Sequence, residues 1–222
     1  MKKHLKLSVA AIAISAFYGC ATTERSTAIE PQRVQIAAVP YVGKRIPVSI
    51  AKFENKSPFL RGIFNDGVDR LGNQAKTILI AHLNQTNRFG VLDRENMREA
   101  SQEAKIKNQT QQIRGADYII TGDITEFGRK EVGDHQLFGI LGRGKEQIAY
   151  AKVTLNVVNA NTSEVVYSVQ GAGEYGLSNR EVVGFGSTAS YDFSLNGKVL
   201  DLAIRQAVDN LAKGVDAGAF RN

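Results

Sequence analysis

A single cysteine in 222 residues means that this chain cannot form a disulfide within itself. Its three histidines, His4, His82 and His135, are scattered, and none falls at ligand spacing with another, which argues against a metal site. No Gly-x-Ser-x-Gly elbow is present, so the usual serine-nucleophile arrangement has no foothold. The longest apolar run near the start, residues 7–17, is too short to cross a bilayer as a helix. Dense Lys/Arg stripes are also missing. Of the 28 basic side chains, Lys2, Lys3 and Lys6 precede the cysteine with no acidic residue beside them, so the remainder is 25 basic against 22 acidic groups, or +3. That balance gives nucleic-acid binding little support.

What is present concentrates around Cys20. A lysine-rich start, an apolar run of signal-sequence length and Gly19 just before the cysteine form the pattern of a secreted bacterial precursor that is cut and acylated at Cys20. Phe17 and Tyr18 depart from the usual lipobox, and the alternative is an ordinary cleaved signal peptide with an incidental thiol. The lipoprotein reading predicts a signal peptide over 1–19, a lipidated tether over 20–46 with one short strand at 34–39, and a domain over 47–222. Ala21, where an aspartate would retain the protein elsewhere, directs it to the outer membrane with its main domain in the periplasm. A diacylglyceryl cysteine with an added N-acyl chain such as palmitate exceeds the two-signal threshold for stable anchoring.

Patterning along the rest of the chain predicts an α/β fold. Residues 48–53 are β-branched and apolar enough for a first core strand. Val68, Leu71, Ala75, Ile78, Leu79 and His82 recur at helical spacing. A second strand is expected over 87–92, a helix over 96–107 with Asp93 as its cap, and a third strand over 118–124. Residues 151–158 and 165–169 read as a hairpin, and Leu200, Ala203, Ile204, Ala207, Val208, Leu211 and Val215 form the apolar stripe of a closing helix. This order implies a mixed-sheet α/β sandwich with helices packed on it. About two hundred residues can bury one sizeable core.

Two stretches do not fit such a sandwich. Residues 124–150 carry five glycines and no helical period, which is long for a structureless loop. From Val183 onward the odd positions, including Phe185, Tyr191 and Phe193, are largely apolar or aromatic, whereas the even ones are small or polar. A strand places these sets on opposite faces, and about ten residues suffice for a tilted strand to cross a membrane. A membrane-crossing strand here would make Val183, Phe185, Tyr191 and Phe193 candidate lipid-facing residues. The alternative is a hairpin lying apolar side down on the globular core.

Several segments together resemble the CsgG/HfaB family of outer-membrane lipoproteins, typified by the curli production assembly/transport component. They are Cys20, residues 87–94 (NRFGVLDR), residues 116–124 (ADYIITGDI), and residues 153–159 (VTLNVVN) leading to Thr162-Ser163-Glu164, where the family usually has a Thr-Gly-Glu turn. The resemblance implies a periplasmic α/β domain and a ring-shaped homo-oligomer in which each subunit extends two β-hairpins, at about 126–150 and 171–195, that join into one transmembrane β-barrel. Unfolded fibre or surface polypeptides would pass through it. It also implies that the loop after the first strand lines the narrowest part of the channel, which makes Phe59, Phe64 and Asn65 candidate constriction residues. The alternative for the two phenylalanines is packing on the core. Partners would be further copies of the chain, outer-membrane lipid, the exported polypeptide and periplasmic accessory proteins, with no nucleic acid.

No catalytic residue or cofactor is expected. Residues 139–145 (GILGRGK) match the glycine and lysine spacing of a phosphate-binding loop, but Glu146 follows where a hydroxyl is needed, and residues 147–158 are strand-like. Two non-enzymatic functions remain. One is a secretion-channel subunit. The other is an outer-membrane lipoprotein that stays wholly periplasmic and regulates an envelope protein, as LpoB-like activators of peptidoglycan synthases do.

Overall fold

The computed structural model describes residues 32–59, 68–135, 143–181 and 194–220. Residues 33–220 belong to one unit. Its elements are β1 (Ile46–Asn55), α1 (Arg70–Gln85), β2 (Phe89–Leu92), α2 (Met97–Ile106), β3 (Tyr118–His135), β4 (Arg143–Asn159), β5 (Val165–Glu181) and α3 (Ser194–Asp216). The five strands form one mixed sheet in the order β2-β1-β3-β4-β5. β1 lies parallel to both β2 and β3, while β3, β4 and β5 form an antiparallel meander.

Helical periodicity translates directly into packing. On α1, Leu71, Ala75, Leu79 and Leu83 are buried, and all seven stripe residues of α3 are buried too. Each large aliphatic side chain removed from water in this way contributes about 1.5–3 kcal/mol. Val68 lies outside α1 and is half exposed. Asp69 caps the helix instead: its carboxylate accepts from the Gly72 N–H at 2.8 Å and from the Asn55 N–H at 2.7 Å, which joins the start of α1 to the end of β1.

The structure departs from the expected layers in one respect. Helices α1 and α3 cover one face of the sheet, whereas α2 buries none of its residues. The opposite face carries Thr121, Thr154, Asn156, Ser168 and Gln170, none of them buried. The Ser168 hydroxyl donates to Asn156 Oδ1 at 2.6 Å across adjacent strands. Asp93 is not the cap of α2 either. That position is Asn96, and the Asp93 carboxylate accepts from the Asn96 side chain and from the Glu95 and Asn96 backbone N–H groups. These bonds, the side-chain one first, hold its pKa below the ordinary carboxylate value.

Residues 34–39 form no strand; Gln35–Ala38 is a single 3-10 turn. Val34 and Ile36 are buried in the core, so the end of the expected tether belongs to the body. Asp209 on α3 holds this strap, accepting from the Ile36 N–H at 2.9 Å and the Gln35 N–H at 3.3 Å.

At the β4–β5 turn, Asn159 Oδ1 accepts from the Asn161 and Thr162 N–H groups, and Ser163 adopts a left-handed φ of 61°. A side chain with a β-carbon is strained there, and glycine is not. Ser163→Gly is expected to raise stability by about 0.5–1 kcal/mol in urea unfolding. A lowered midpoint would contradict the strain.

Candidate functional site

Of the two anomalous stretches, the described part of the first is strand. β3 continues to His135 and β4 starts at Arg143, in unbroken antiparallel register from Glu126↔Lys152 to His135↔Arg143. This is the first expected hairpin. β5 runs beside β4 up to Glu181, paired with Arg143. Residues 171–181, the first part of the second expected hairpin, are therefore a strand that leaves the body with the other two. Residues 182–193 lie outside the described residues, and with them Val183, Phe185, Tyr191 and Phe193. Cys20, Phe64 and Asn65 lie outside as well.

The ribbon separates from the body at a definable row. β1 stops pairing at Asn55↔Ile124, where the Lys56 and Ser57 N–H groups both donate to the Ile124 carbonyl. A bulge follows at Thr125, whose hydroxyl donates to the Lys152 carbonyl at 3.2 Å. A bulge adds local twist and ends pairing on one side. On the next row Glu126 faces Lys152, with a 3.0 Å ion pair between them, and Lys152 is in register with Ala172 of β5. From this neck to His135, β3 extends ten residues, or about 33 Å at ~3.3 Å per residue.

Side chains of α3 and the strands brace the base of the ribbon. Arg129 Nε donates to Asn196 Oδ1 at 2.9 Å, Lys130 pairs with Glu174 at 3.0 Å, and Lys198 Nζ lies 5.1 Å from the Tyr175 ring centroid. Tyr150 lies over Gly128 of β3 and fills the space a side chain would take. Phe59 is half-buried, with its ring 4.8 Å from Phe127 and its carbonyl accepting from Asn55 Nδ2 at 2.8 Å. Of the three constriction candidates it is the one whose place is described, and within one subunit it packs at the neck.

Farther from the ribbon lies a buried cation that local sequence does not reveal. Arg88, 1% exposed, makes a forked pair with Asp216, Nε to Oδ1 at 2.8 Å and Nη2 to Oδ2 at 2.6 Å. Its Nη1 donates to the Thr86 carbonyl at 2.9 Å, and the guanidinium lies 5.0 Å from the Tyr41 ring centroid. His82 is also buried, with Nε2 2.8 Å from Asp201 Oδ1. No cluster of three potential metal ligands occurs among the described residues, and no described helix is long and apolar enough to cross a membrane. Arg143, Gly144 and Lys145 of the phosphate-loop-like motif open strand β4 instead of a helix, so the helix N-terminus that a phosphate needs does not follow them.

The family model for "Curli production assembly/transport component CsgG" matches residues 31–220. The chain belongs to the CsgG family. This CsgG-family chain is 60% identical over 215 residues to a Neisseria meningitidis serogroup B protein named as a lipoprotein, covering 97% of the present chain and 95% of that protein. The expectation of a lipoprotein agrees with that name. Among solved structures, a PelC dodecamer from Paraburkholderia phytofirmans is 14% identical with a TM-score of 0.37, covering 77% of this chain and 91% of that one. The LpoB C-terminal domain from Salmonella enterica is 14% identical with a TM-score of 0.32, covering 59% and 85%. Overlays this loose carry no functional weight. The CsgG-family assignment stands on the family model.

Proposed function

We propose that the chain is a lipid-anchored subunit of an oligomeric outer-membrane channel, a conduit without catalysis that lets unfolded polypeptides leave by diffusion. One observation carries this reading: a three-stranded ribbon continues past the neck with neither outer edge paired among the described residues. An unpaired edge in lipid leaves backbone N–H and C=O groups unsatisfied at several kcal/mol each, and a barrel closed from many copies removes it. The ten residues of β3 beyond the neck match the ~9–11 that a tilted strand needs to cross a bilayer. Phe59, Phe64 and Asn65 would then ring the narrowest part, where aromatic edges and amides contact an extended chain without reading its sequence.

A second reading has its own support. The strands beyond the neck are rich in charge in sequence, including Arg129, Lys130, Glu131, Asp134, Arg143, Lys145 and Glu146, and charge on a lipid-facing surface is costly. A periplasmic adaptor that binds an envelope protein would carry such a ribbon in water.

The lipidated full-length protein, purified in detergent and reconstituted in planar bilayers, separates the two. The channel predicts SDS-resistant, heat-labile oligomers and stepwise conductance, with Val183→Cys, Phe185→Cys and Tyr191→Cys shielded from a membrane-impermeant thiol reagent in cells. Absence of oligomers and conductance, together with ready labelling at those positions, would replace the channel with the adaptor.

A further inference from the structure

Among the described residues strand β5, 17 residues long, is an edge strand, the kind of edge that invites pairing with another chain. Within the body two of its outward backbone groups are engaged by side chains. The Ala172 N–H donates to Gln206 Oε1 at 2.6 Å, and the Gln170 carbonyl accepts from Asn210 Nδ2 at 2.9 Å. Both amides stand one turn apart on α3, so one helix face meets two neighbouring groups of the strand. That reach depends on glycine. A β-carbon at Gly171 would collide with the Ala203 carbonyl oxygen and the Ala207 nitrogen, and one at Gly173 would come within 2.7 Å of the Val199 carbonyl oxygen. The absence of those side chains lets α3 lie close enough for its amides to touch the strand's backbone.

The position of this cover is informative. Ala172 is in register with Lys152, and Lys152 with Glu126, the first paired β3 residue beyond the end of β1. Cover on the two sides of the meander therefore stops on one row, supplied by β1 on the β3 side and by the amides of α3 on the β5 side. Below that row β1 pairs with the β3 edge, and the amides of α3 occupy the two groups of the β5 edge nearest the row. Above it neither edge has a partner among the described residues.

We propose that Gln206 and Asn210 are edge guards: they occupy the Ala172 N–H and Gln170 C=O that a strand from a second copy would otherwise engage, and so confine strand pairing between copies to the ribbon beyond the neck. Gln206 supplies an acceptor and Asn210 a donor, matching the alternation of an edge. The channel reading enters only through what the ribbon does next; the guarding itself does not require it.

The test uses the lipidated full-length chain in detergent micelles, carrying Gln206→Ala, Asn210→Ala or both, with Gln206→Glu as the variant that keeps the acceptor. Native-state hydrogen exchange at the Ala172 amide is expected to quicken about tenfold in Gln206→Ala and to stay near wild type in Gln206→Glu. Light scattering is expected to show the double variant forming species larger than the wild-type oligomer at equal concentration. Unchanged exchange at Ala172 in Gln206→Ala, or wild-type association in the double variant, overturns the proposal. Each single variant leaves one guard in place, so the exchange measurement remains readable if the double variant does not fold. A chain that shows both effects but no conductance keeps the guards and loses the channel. One that conducts and shows neither keeps the channel and loses the guards.

Discussion

Arg88→Ala is expected to lower the unfolding free energy by about 3 kcal/mol, the lower part of the range for breaking a buried ion pair. Two features set that level. Arg88 is shut away from water and satisfied on three sides, by the fork to Asp216, by the Thr86 carbonyl and by the Tyr41 ring, so its removal leaves a cavity and an orphaned carbonyl. The Asp216 side chain is 39% exposed, so water can reach the carboxylate left behind and soften the loss. Arg88→Lys should still cost about 2 kcal/mol, because an ammonium cannot make both bonds of the fork. Urea unfolding of the single variants and of Arg88→Ala/Asp216→Ala forms a double-mutant cycle, with a coupling of about 1–3 kcal/mol expected. Coupling near zero would mean that the pair does not hold the end of α3 to the start of β2.

A comparable loss, about 3 kcal/mol or more, is expected from Gly171→Ala, a change that elsewhere is often stabilising. The obstruction is backbone on both counts, the Ala203 carbonyl and the Ala207 nitrogen, and neither can rotate aside as a side chain would. To admit one methyl group, α3 must move off β5, which strips contacts from Ala203 and Ala207 and withdraws Gln206 and Asn210 from the strand edge. Gly197→Ala supplies the contrast: among the described residues a β-carbon there meets only the Gln74 side-chain nitrogen at 3.5 Å, an ordinary contact, and it sits in helix. That change should be neutral or stabilise by up to about 1 kcal/mol. Thermal unfolding of the two variants side by side checks the pair. Equal melting temperatures would show that β5 and α3 are not in close contact.

Gly171 and Gly173 also show what kind of signal was readable in advance. Alternate glycines inside a strand mark close approach of another backbone, but nothing local names the approaching helix. Helices α1 and α3 were legible because burial on one face repeats every 3.6 residues, and the apolar side chains carry that period themselves. Strand β3 was legible only to residue 124. Beyond it, Arg129, Lys130 and Glu131 interrupt the alternation, and the strand is held by backbone pairing with β4 that no side-chain pattern records. Val34 and Ile36 alternate as a strand would, yet they form a 3-10 turn because Asp209, 173 residues away from Ile36, accepts from the N–H groups there.

Periodicity and composition were sufficient by themselves for the α/β class, the two core helices and the presence of two stretches that do not fit the sandwich, since each rests on a repeat or a run within a few dozen residues; the family was legible from the order of short motifs along the chain. Tertiary structure alone decided that Arg88 is a buried cation paired across 128 residues, that the strap is docked on α3, that α2 buries nothing, and that the cover on both sides of the meander ends on one row. Those features depend on which distant backbone or side-chain groups are brought within bonding distance, and that is fixed only when the sheet and its helices close on one another.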